Sequence, residues 1–146
     1  MEDKDIVGRA ALSILSPGLC FLKIISVENV RSVRKSLYIL RVIDMKGGCG
    51  FITMYTDHED DLYMDLSDEI FCDLLTWSDR DNVTYSDFDR MEFMAYCYHY
   101  EHEGNTFCSV RPVRRGESLE SAMHKSVDIE FEYINRHLLK KMICLH

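Results

Sequence analysis

Hydrophobic residues in the first half of the chain fall into three short runs that polar residues separate. Residues 19–33 begin as an apolar segment and turn polar and basic near 28–35, where we predict a bulge, a bend or a loop. Residues 37–43 are rich in β-branched and aromatic side chains, and a glycine turn at 45–48 leads to a third run at 49–55. The pattern predicts three successive strands.

The second half of the chain has the pattern of one helix followed by another hairpin. After an acidic loop at 57–61, apolar residues recur at intervals of four, four and three and mark one stripe of a helix: Leu66, Ile70, Leu74 and Trp77. We expect Asp65 or Ser67 to be its N-cap. Residues 91–100 and 106–113 then pair as a second hairpin, which brings the number of predicted strands to five.

The remaining segments lie between these elements and at the two ends. Residues 78–90 are polar and predict an exposed loop, and the apolar spacing of 5–15 predicts a short leading helix. Near the C-terminus, residues 127–133 alternate as a half-exposed strand would, but a single apolar face also continues at helical spacing through 118–145. We favour the helix, with a break near Lys125 as the alternative.

This order of elements predicts a β-rich α+β fold, a five-stranded Greek-key barrel of the OB type with a helix between strands three and four and a C-terminal amphipathic helix. We expect one domain, in which 1–18 is a leading helix and turn, 19–115 is the barrel and 116–146 is the terminal helix. That helix would be about 40 Å long, which exceeds the width of a small barrel. We therefore expect it to pack on the barrel, on a partner, or on both.

Composition indicates a globular chain, since 47% of its 146 residues are hydrophobic and 29% are charged. The sequence has an acidic start and no apolar run of about 18 residues, so we expect no membrane association and an intracellular protein, nuclear rather than cytoplasmic. The six cysteines form no CxxC pair, and we expect them to be reduced and mostly in the core.

Charge is unevenly distributed along the chain. The net charge is −8, but residues 57–92 alone hold 13 acidic and 2 basic side chains. Basic residues instead cluster in the first two predicted strands and after the last hairpin. An acidic sector suits a basic protein partner, whereas a basic strip can follow a nucleic-acid backbone. The alternative is that both are merely solvated surface.

The order strand, strand, Asp-x-x-Gly-Gly turn (residues 44–48), strand, acidic helix, hairpin and amphipathic helix resembles the small OB-fold subunits of complexes that handle single-stranded DNA. These include the middle and small subunits of replication protein A, telomere-capping subunits and the RecQ-mediated genome instability subunits. The resemblance implies that the C-terminal helix joins a helical bundle between subunits, through Phe131, Ile134, Leu138 and Met142. The strongly acidic centre departs from that pattern.

Binding of a single strand requires aromatic faces for the bases and cations for the phosphates, typically on strands two and three. Tyr96, Tyr98 and Tyr100 share one face of the fourth strand by their spacing of two. The residues that we predict to contact nucleic acid are Arg31, Arg34, Lys35, Tyr38, Arg41, Phe51, Tyr55, Tyr98, Arg111 and Arg114. The alternative for each aromatic residue is an ordinary place in the core or on the sheet surface.

A metal site is a weaker hypothesis, on Cys97, His99, His102 and Cys108 around the second hairpin, because their spacing lacks the paired knuckles of small zinc sites. We expect no metal, no cofactor and no catalytic residues, since the sequence has no phosphate loop, nucleophile elbow or H-E-x-x-H helix. Two functions remain: a non-catalytic subunit of a DNA replication, repair or telomere-capping complex with modest single-strand contact, or a protein-only adaptor.

Overall fold

The structure, a computed structural model, describes residues 14–118, 120 and 121. Its elements follow the predicted order of three strands, a helix and two strands, with a short 3₁₀ helix before the fourth strand. In chain order they are β1 (Gly18–Arg31), β2 (Ser36–Ile43), β3 (Cys49–Asp57), α1 (Asp61–Leu75), the 3₁₀ helix (Tyr85–Phe88), β4 (Glu92–His102) and β5 (Asn105–Pro112). The prediction of a β-rich α+β fold is confirmed.

The five strands form one antiparallel sheet in the order β3-β2-β1-β4-β5. The long strand β1 pairs with β4 through its first half and with β2 through its second half. A register shift between Ile24 and Ser26 lies where one pairing gives way to the other. The loop predicted near 28–35 is the tight turn at 32–35, and this register shift is a second irregularity, earlier in β1.

Alternate residues of the strands bury one face of the sheet, and the core consists largely of these side chains: Leu22, Ile24, Leu40, Val42, Ile52, Met54, Phe93, Ala95, Cys97 and Val110. The helix α1 packs on this core through Leu74, which is fully buried. It also contacts the outer edge of β3, because the backbone N–H of Tyr55 donates a 2.7 Å hydrogen bond to the hydroxyl of Ser67. The sheet and the helix thus share one core.

The two edge strands of the sheet approach each other around Leu15, which is fully buried. A Cβ atom on Gly50 of β3 would lie 2.8 Å from Leu15 Cδ1 and 3.2 Å from Val110 Cγ2 of β5. Ile14 forms an isolated parallel bridge with Cys49, and no strand of the described residues pairs with the outer edge of β3. Leu15 therefore fills the gap between β3 and β5 at one end.

The helix α1 begins earlier than the sequence pattern predicted. Its N-cap is Asp60, whose carboxylate accepts a 2.9 Å hydrogen bond from the N–H of Leu62. The prediction of Asp65 or Ser67 as N-cap was wrong, because Asp60 already satisfies the first free N–H groups of the helix. Ser67 lies in its second turn and faces β3.

The polar segment 78–90 is mostly exposed, as predicted, but a short 3₁₀ helix anchors it to the core. Its 3₁₀ helix buries Phe88 completely and packs the Tyr85 ring 4.9 Å from the Phe71 ring of α1. A capping box holds the start of this turn, in which Thr84 N–H donates to the Asp87 carboxylate at 2.8 Å. Two aromatic side chains are enough to anchor a segment whose composition is otherwise polar.

The predicted terminal helices fall mostly outside the described residues. Of the leading helix at 5–15, the structure describes Ile14 and Leu15, and both are non-helical. Of the C-terminal helix at 118–145, residues 120 and 121 are helical, and Ser121 N–H donates to the Ser118 hydroxyl at 3.2 Å as in an N-cap. The rest of both predictions lies outside the described part of the chain.

Candidate nucleic-acid interface

The turn between β1 and β2 presents three cations to solvent. Ser32 stabilises this turn, since its backbone N–H donates to the Lys35 carbonyl at 2.9 Å and its hydroxyl accepts the Lys35 N–H at 3.2 Å. The tight turn leaves Arg31, Arg34 and Lys35 exposed, as the sequence analysis required for phosphate contact. Val33 at the tip is also fully exposed.

A cation and an aromatic ring lie side by side on the outer face of β2 and β3. Arg41 and Phe51 are directly opposite each other in the β2–β3 register, and both are exposed, Phe51 by 59%. Their neighbours Leu40 and Ile52 form the adjacent pair and point into the core. Because side chains alternate along a strand, Arg41 and Phe51 must point outward together.

The exposed cations extend along one side of the hairpin. From Lys35 to Arg41 the chain advances by about 20 Å at roughly 3.3 Å per residue. The strip is not purely basic, because Glu28 lies opposite Ile39 and Asp57 opposite Ser36, and both acids are exposed. The electrostatic attraction for a phosphate backbone is therefore modest.

Tyr38 does not share the outer face with Arg41. Its ring stacks on Tyr85 with centroids 4.3 Å apart and planes 2° from parallel, and its hydroxyl accepts a 3.4 Å hydrogen bond from Asn29. The prediction that Tyr38 stacks on a base does not fit this position, because Tyr85 already covers one face of the ring. Burial, with Asp68 and Tyr38 as smaller causes, raises the pKa of Tyr85.

Two of the predicted phosphate ligands instead join β5 to α1. The side chain of Arg111 is 8% exposed and bonds Glu69 at 3.0 Å and Asp73 at 3.4 Å. Arg114, which is more exposed, bonds the other carboxylate oxygen of Asp73 at 3.3 Å. The predicted phosphate contact by Arg111 does not fit this position, because the acidic helix supplies its anionic partners. Arg115 lies 5.6 Å from the centre of the Trp77 ring.

A cleft of about 260 Å³ lies between β3, β5 and α1. Its lining carries no charged side chain and consists of Phe51, Ile52, Thr53, Tyr55, Tyr63, Leu66, Ser67, Ile70, Tyr100, Cys108, Ser109 and Val110. The Tyr55 and Tyr63 rings are 5.1 Å apart, edge to face. Burial, with Tyr63 nearby, raises the pKa of Tyr55. The sequence analysis included Phe51 and Tyr55 but missed Tyr63, whose helical position gave no signal of proximity to β3.

Further aromatic rings continue from this cleft onto the outer face of β4 and β5. Tyr100 stacks on Phe107 with centroids 5.5 Å apart, and Tyr98 lies 6.0 Å from Tyr100. Phe107 is 43% exposed. The shared face predicted for Tyr98 and Tyr100 therefore exists, and its extension by Phe107 follows from the β4–β5 register, in which Tyr100 lies opposite Phe107.

The thiols of Cys97 and Cys108 form a hydrogen-bonded pair, of which Cys108 lines the cleft. The hydrogen bond from Cys97, with a smaller effect of His99, lowers the pKa of Cys108 to about 7, whereas the same bond and burial raise that of Cys97. The His99 Nε2–H donates to the Leu15 carbonyl at 2.5 Å. No group of three or more His, Cys, Asp or Glu in the described part of the chain is arranged to hold a metal ion.

The predicted partner-binding residues Phe131, Ile134, Leu138 and Met142 lie outside the described residues. Within residues 14–118, 120 and 121, no helix is both long and apolar enough to cross a membrane. Comparison of the sequence with protein-family models and with curated proteins finds no match. The site geometry and the sheet topology are therefore the basis for a functional proposal.

Proposed function

We propose that this chain is a non-catalytic OB-like subunit that assembles with a protein partner and contacts single-stranded nucleic acid weakly through the outer face of β2 and β3. The observation that carries the nucleic-acid part is the exposed pair of Arg41 and Phe51, on the same hairpin as the basic turn and about 20 Å along β2 from it. Such a pair combines the two chemical requirements of single-strand binding, a cation for phosphate and a ring for a base.

The sheet topology supports the OB-like barrel. On one side, β1 pairs with β2 and β2 pairs with β3. On the other side, β1 pairs with β4 and β4 pairs with β5, so β3 and β5 are the two edges of the sheet. These edges approach each other around Leu15, Gly50 and Val110, which is the approach needed to close a small barrel. The helix α1 lies between β3 and β4 in the chain, the position it has in an OB-fold.

The number of available cations supports weak rather than tight binding. Of the ten predicted contact residues, four cations lie on the β1–β2 side and are exposed: Arg31, Arg34, Lys35 and Arg41. Log affinity for a single strand falls with log salt by about 0.7 for each phosphate neutralised. Four contacts therefore give a slope of about −3.

The acidic surface supports assembly with a protein partner and favours the second candidate function, an adaptor that binds no nucleic acid. α1 exposes carboxylates along its length, at Asp61, Asp65, Asp68 and Glu69. These repel phosphates and attract basic protein surfaces. A partner site that also uses the C-terminal segment would combine this acidic surface with the predicted apolar stripe at Phe131, Ile134, Leu138 and Met142.

Charge reversal on the basic side of the hairpin separates the two candidates. The variant Arg34→Glu/Lys35→Glu/Arg41→Glu is expected to bind a labelled 20-mer at least about tenfold more weakly at low salt and with a shallower salt slope, whatever the base sequence. Arg80→Glu is the matched control, because Arg80 is 75% exposed, far along the chain and only weakly paired with Asp87 at 3.7 Å.

Equal binding by the triple variant and the control variant would show that the basic turn is not the contact surface. No binding by the unaltered chain would favour the adaptor. In that case, capture of a partner should be lost on Ile134→Asp/Leu138→Asp while the circular dichroism spectrum of the chain is retained.

A further inference from the structure

The cleft between β3, β5 and α1 has a lining that suits a flat, uncharged group. Aromatic rings reach it from three elements, with Phe51 and Tyr55 on β3, Tyr63 on α1 and Tyr100 on β4. Its volume of about 260 Å³ is below the roughly 300–1,000 Å³ of sites that enclose a whole small molecule. It therefore has room for one ring system rather than for a complete ligand of drug size.

The polar groups of the lining add a second feature. Hydroxyl groups of Thr53, Ser67 and Ser109 lie among the rings, and no carboxylate, ammonium or guanidinium lines the cleft. A nucleobase has this mixture, since it offers a π-face for stacking and neutral donors and acceptors on its edge. The Ser67 hydroxyl is already engaged, since it accepts the Tyr55 N–H and donates to the Tyr63 carbonyl, both at 2.7 Å. The rings and the uncharged lining are therefore what suit the cleft to a base.

Phe51 connects the cleft to the basic side of the sheet. It lines the cleft and is the direct cross-strand neighbour of Arg41, which is exposed on β2. A strand whose phosphate contacts Arg41 can thus place the adjoining base against Phe51 and into the cleft. The acids of α1 lie outside the lining, so a neutral base avoids the repulsion that a phosphate would meet there.

We infer that the cleft is a subsite for one nucleobase of a bound single strand, with Phe51 and Tyr100 as ring contacts and Arg41 as the neighbouring phosphate contact. This inference rests on the proposed function, because the cations of the β1–β2 side provide the remaining affinity. Phe107, which stacks on Tyr100, extends the ring surface for a second base.

The test compares two oligonucleotides of equal charge, a thymidine 10-mer and an abasic 10-mer, by fluorescence anisotropy. The unaltered chain is expected to bind the thymidine strand about 5- to 140-fold more tightly, which corresponds to roughly 1–3 kcal/mol of stacking at 1.4 kcal/mol per tenfold. Phe51→Ala should lose most of that difference and keep its affinity for the abasic strand. Phe21→Ala is the control, since Phe21 is also an exposed strand residue, by 43%, and lies outside the lining.

Cys108 provides an independent readout of position because it lines the cleft and is half-buried. The thymidine 10-mer is expected to slow alkylation of Cys108 by iodoacetamide, and the abasic strand at equal occupancy should slow it less. Unchanged alkylation would place the base elsewhere and overturn the assignment of the cleft.

The failures of the two proposals are distinguishable. Equal binding of both strands by the unaltered chain, with a normal salt slope, would refute the base subsite and leave the backbone contact intact. A preference for thymidine that Phe51→Ala and Phe21→Ala reduce equally would also refute it. Binding of neither strand at low salt would refute the subsite and the proposed function together.

Discussion

The ion pairs between β5 and α1 allow a stability prediction with an internal comparison. Asp73 is 1% exposed and accepts bonds from Arg111 and Arg114, whereas Glu69, the other carboxylate at Arg111, is 49% exposed. Removing one partner of a buried pair leaves a desolvated charge and typically costs about 3–5 kcal/mol, whereas an exposed pair contributes about 0–1 kcal/mol. Since Glu69 remains, we expect Asp73→Asn to lower the free energy of unfolding by about 3 kcal/mol.

Urea unfolding followed by circular dichroism measures this difference. Glu69→Gln is the matched control, which removes a carboxylate from the same guanidinium and should cost less than about 1 kcal/mol. The two variants should have the same slope of free energy against urea, because neither changes the surface exposed on unfolding. Equal destabilisation by both variants, or none by Asp73→Asn, would refute the argument that burial sets the contribution of this contact.

Two further predictions concern the core and the thiol pair. Phe88→Ala should destabilise the fold by about 3–5 kcal/mol, because Phe88 is fully buried. Phe107→Ala is the control and should destabilise it far less, because Phe107 is 43% exposed. Comparable unfolding midpoints for the two variants would contradict the assigned burial. The thiolate is the reactive form, so alkylation of Cys108, followed by peptide mass spectrometry across pH, should reach half its maximal rate near pH 7. Cys97→Ala removes the hydrogen-bond donor that lowers this pKa and should shift the midpoint upward; an unchanged midpoint would contradict the thiol pair.

The order of elements was predictable because its signals are local. Alternating apolar residues, the glycine turn at 45–48 and the helical stripe from Leu66 each act over a few residues, and the five strands and α1 lie close to their predicted positions. The N-cap of α1 at Asp60 was missed because several acidic residues there can all cap a helix. Sequence pattern identifies a helix more reliably than its first residue.

The orientation of side chains was less predictable because it depends on the register of the whole sheet. Tyr38 and Arg41 lie three residues apart on β2, so alternation puts them on opposite faces, but the sheet decides which face is covered, and Tyr38 packs against Tyr85. Arg111 was predicted to be a surface cation, but α1 places Asp73 beside it. Neither result follows from local composition, since both partners are distant in sequence.

Parts of the candidate site also required the three-dimensional arrangement. Arg41 and Phe51 were predicted individually, and the β2–β3 register brings them together. The cleft could not be predicted, because a predicted barrel does not say which side chains of β3, β5 and α1 line the space between them. The exposed rings around the cleft were therefore recognisable as candidates but not as neighbours.

The most direct test of the central claim is the salt dependence of binding between the unaltered chain and a labelled 20-mer single strand. Four exposed cations predict a slope of about −3 and a loss of about 50-fold in affinity between about 50 and about 200 mM salt. Fluorescence anisotropy that shows micromolar binding at low salt with this slope would support single-strand contact. No binding at low salt, or an affinity independent of salt, would contradict it.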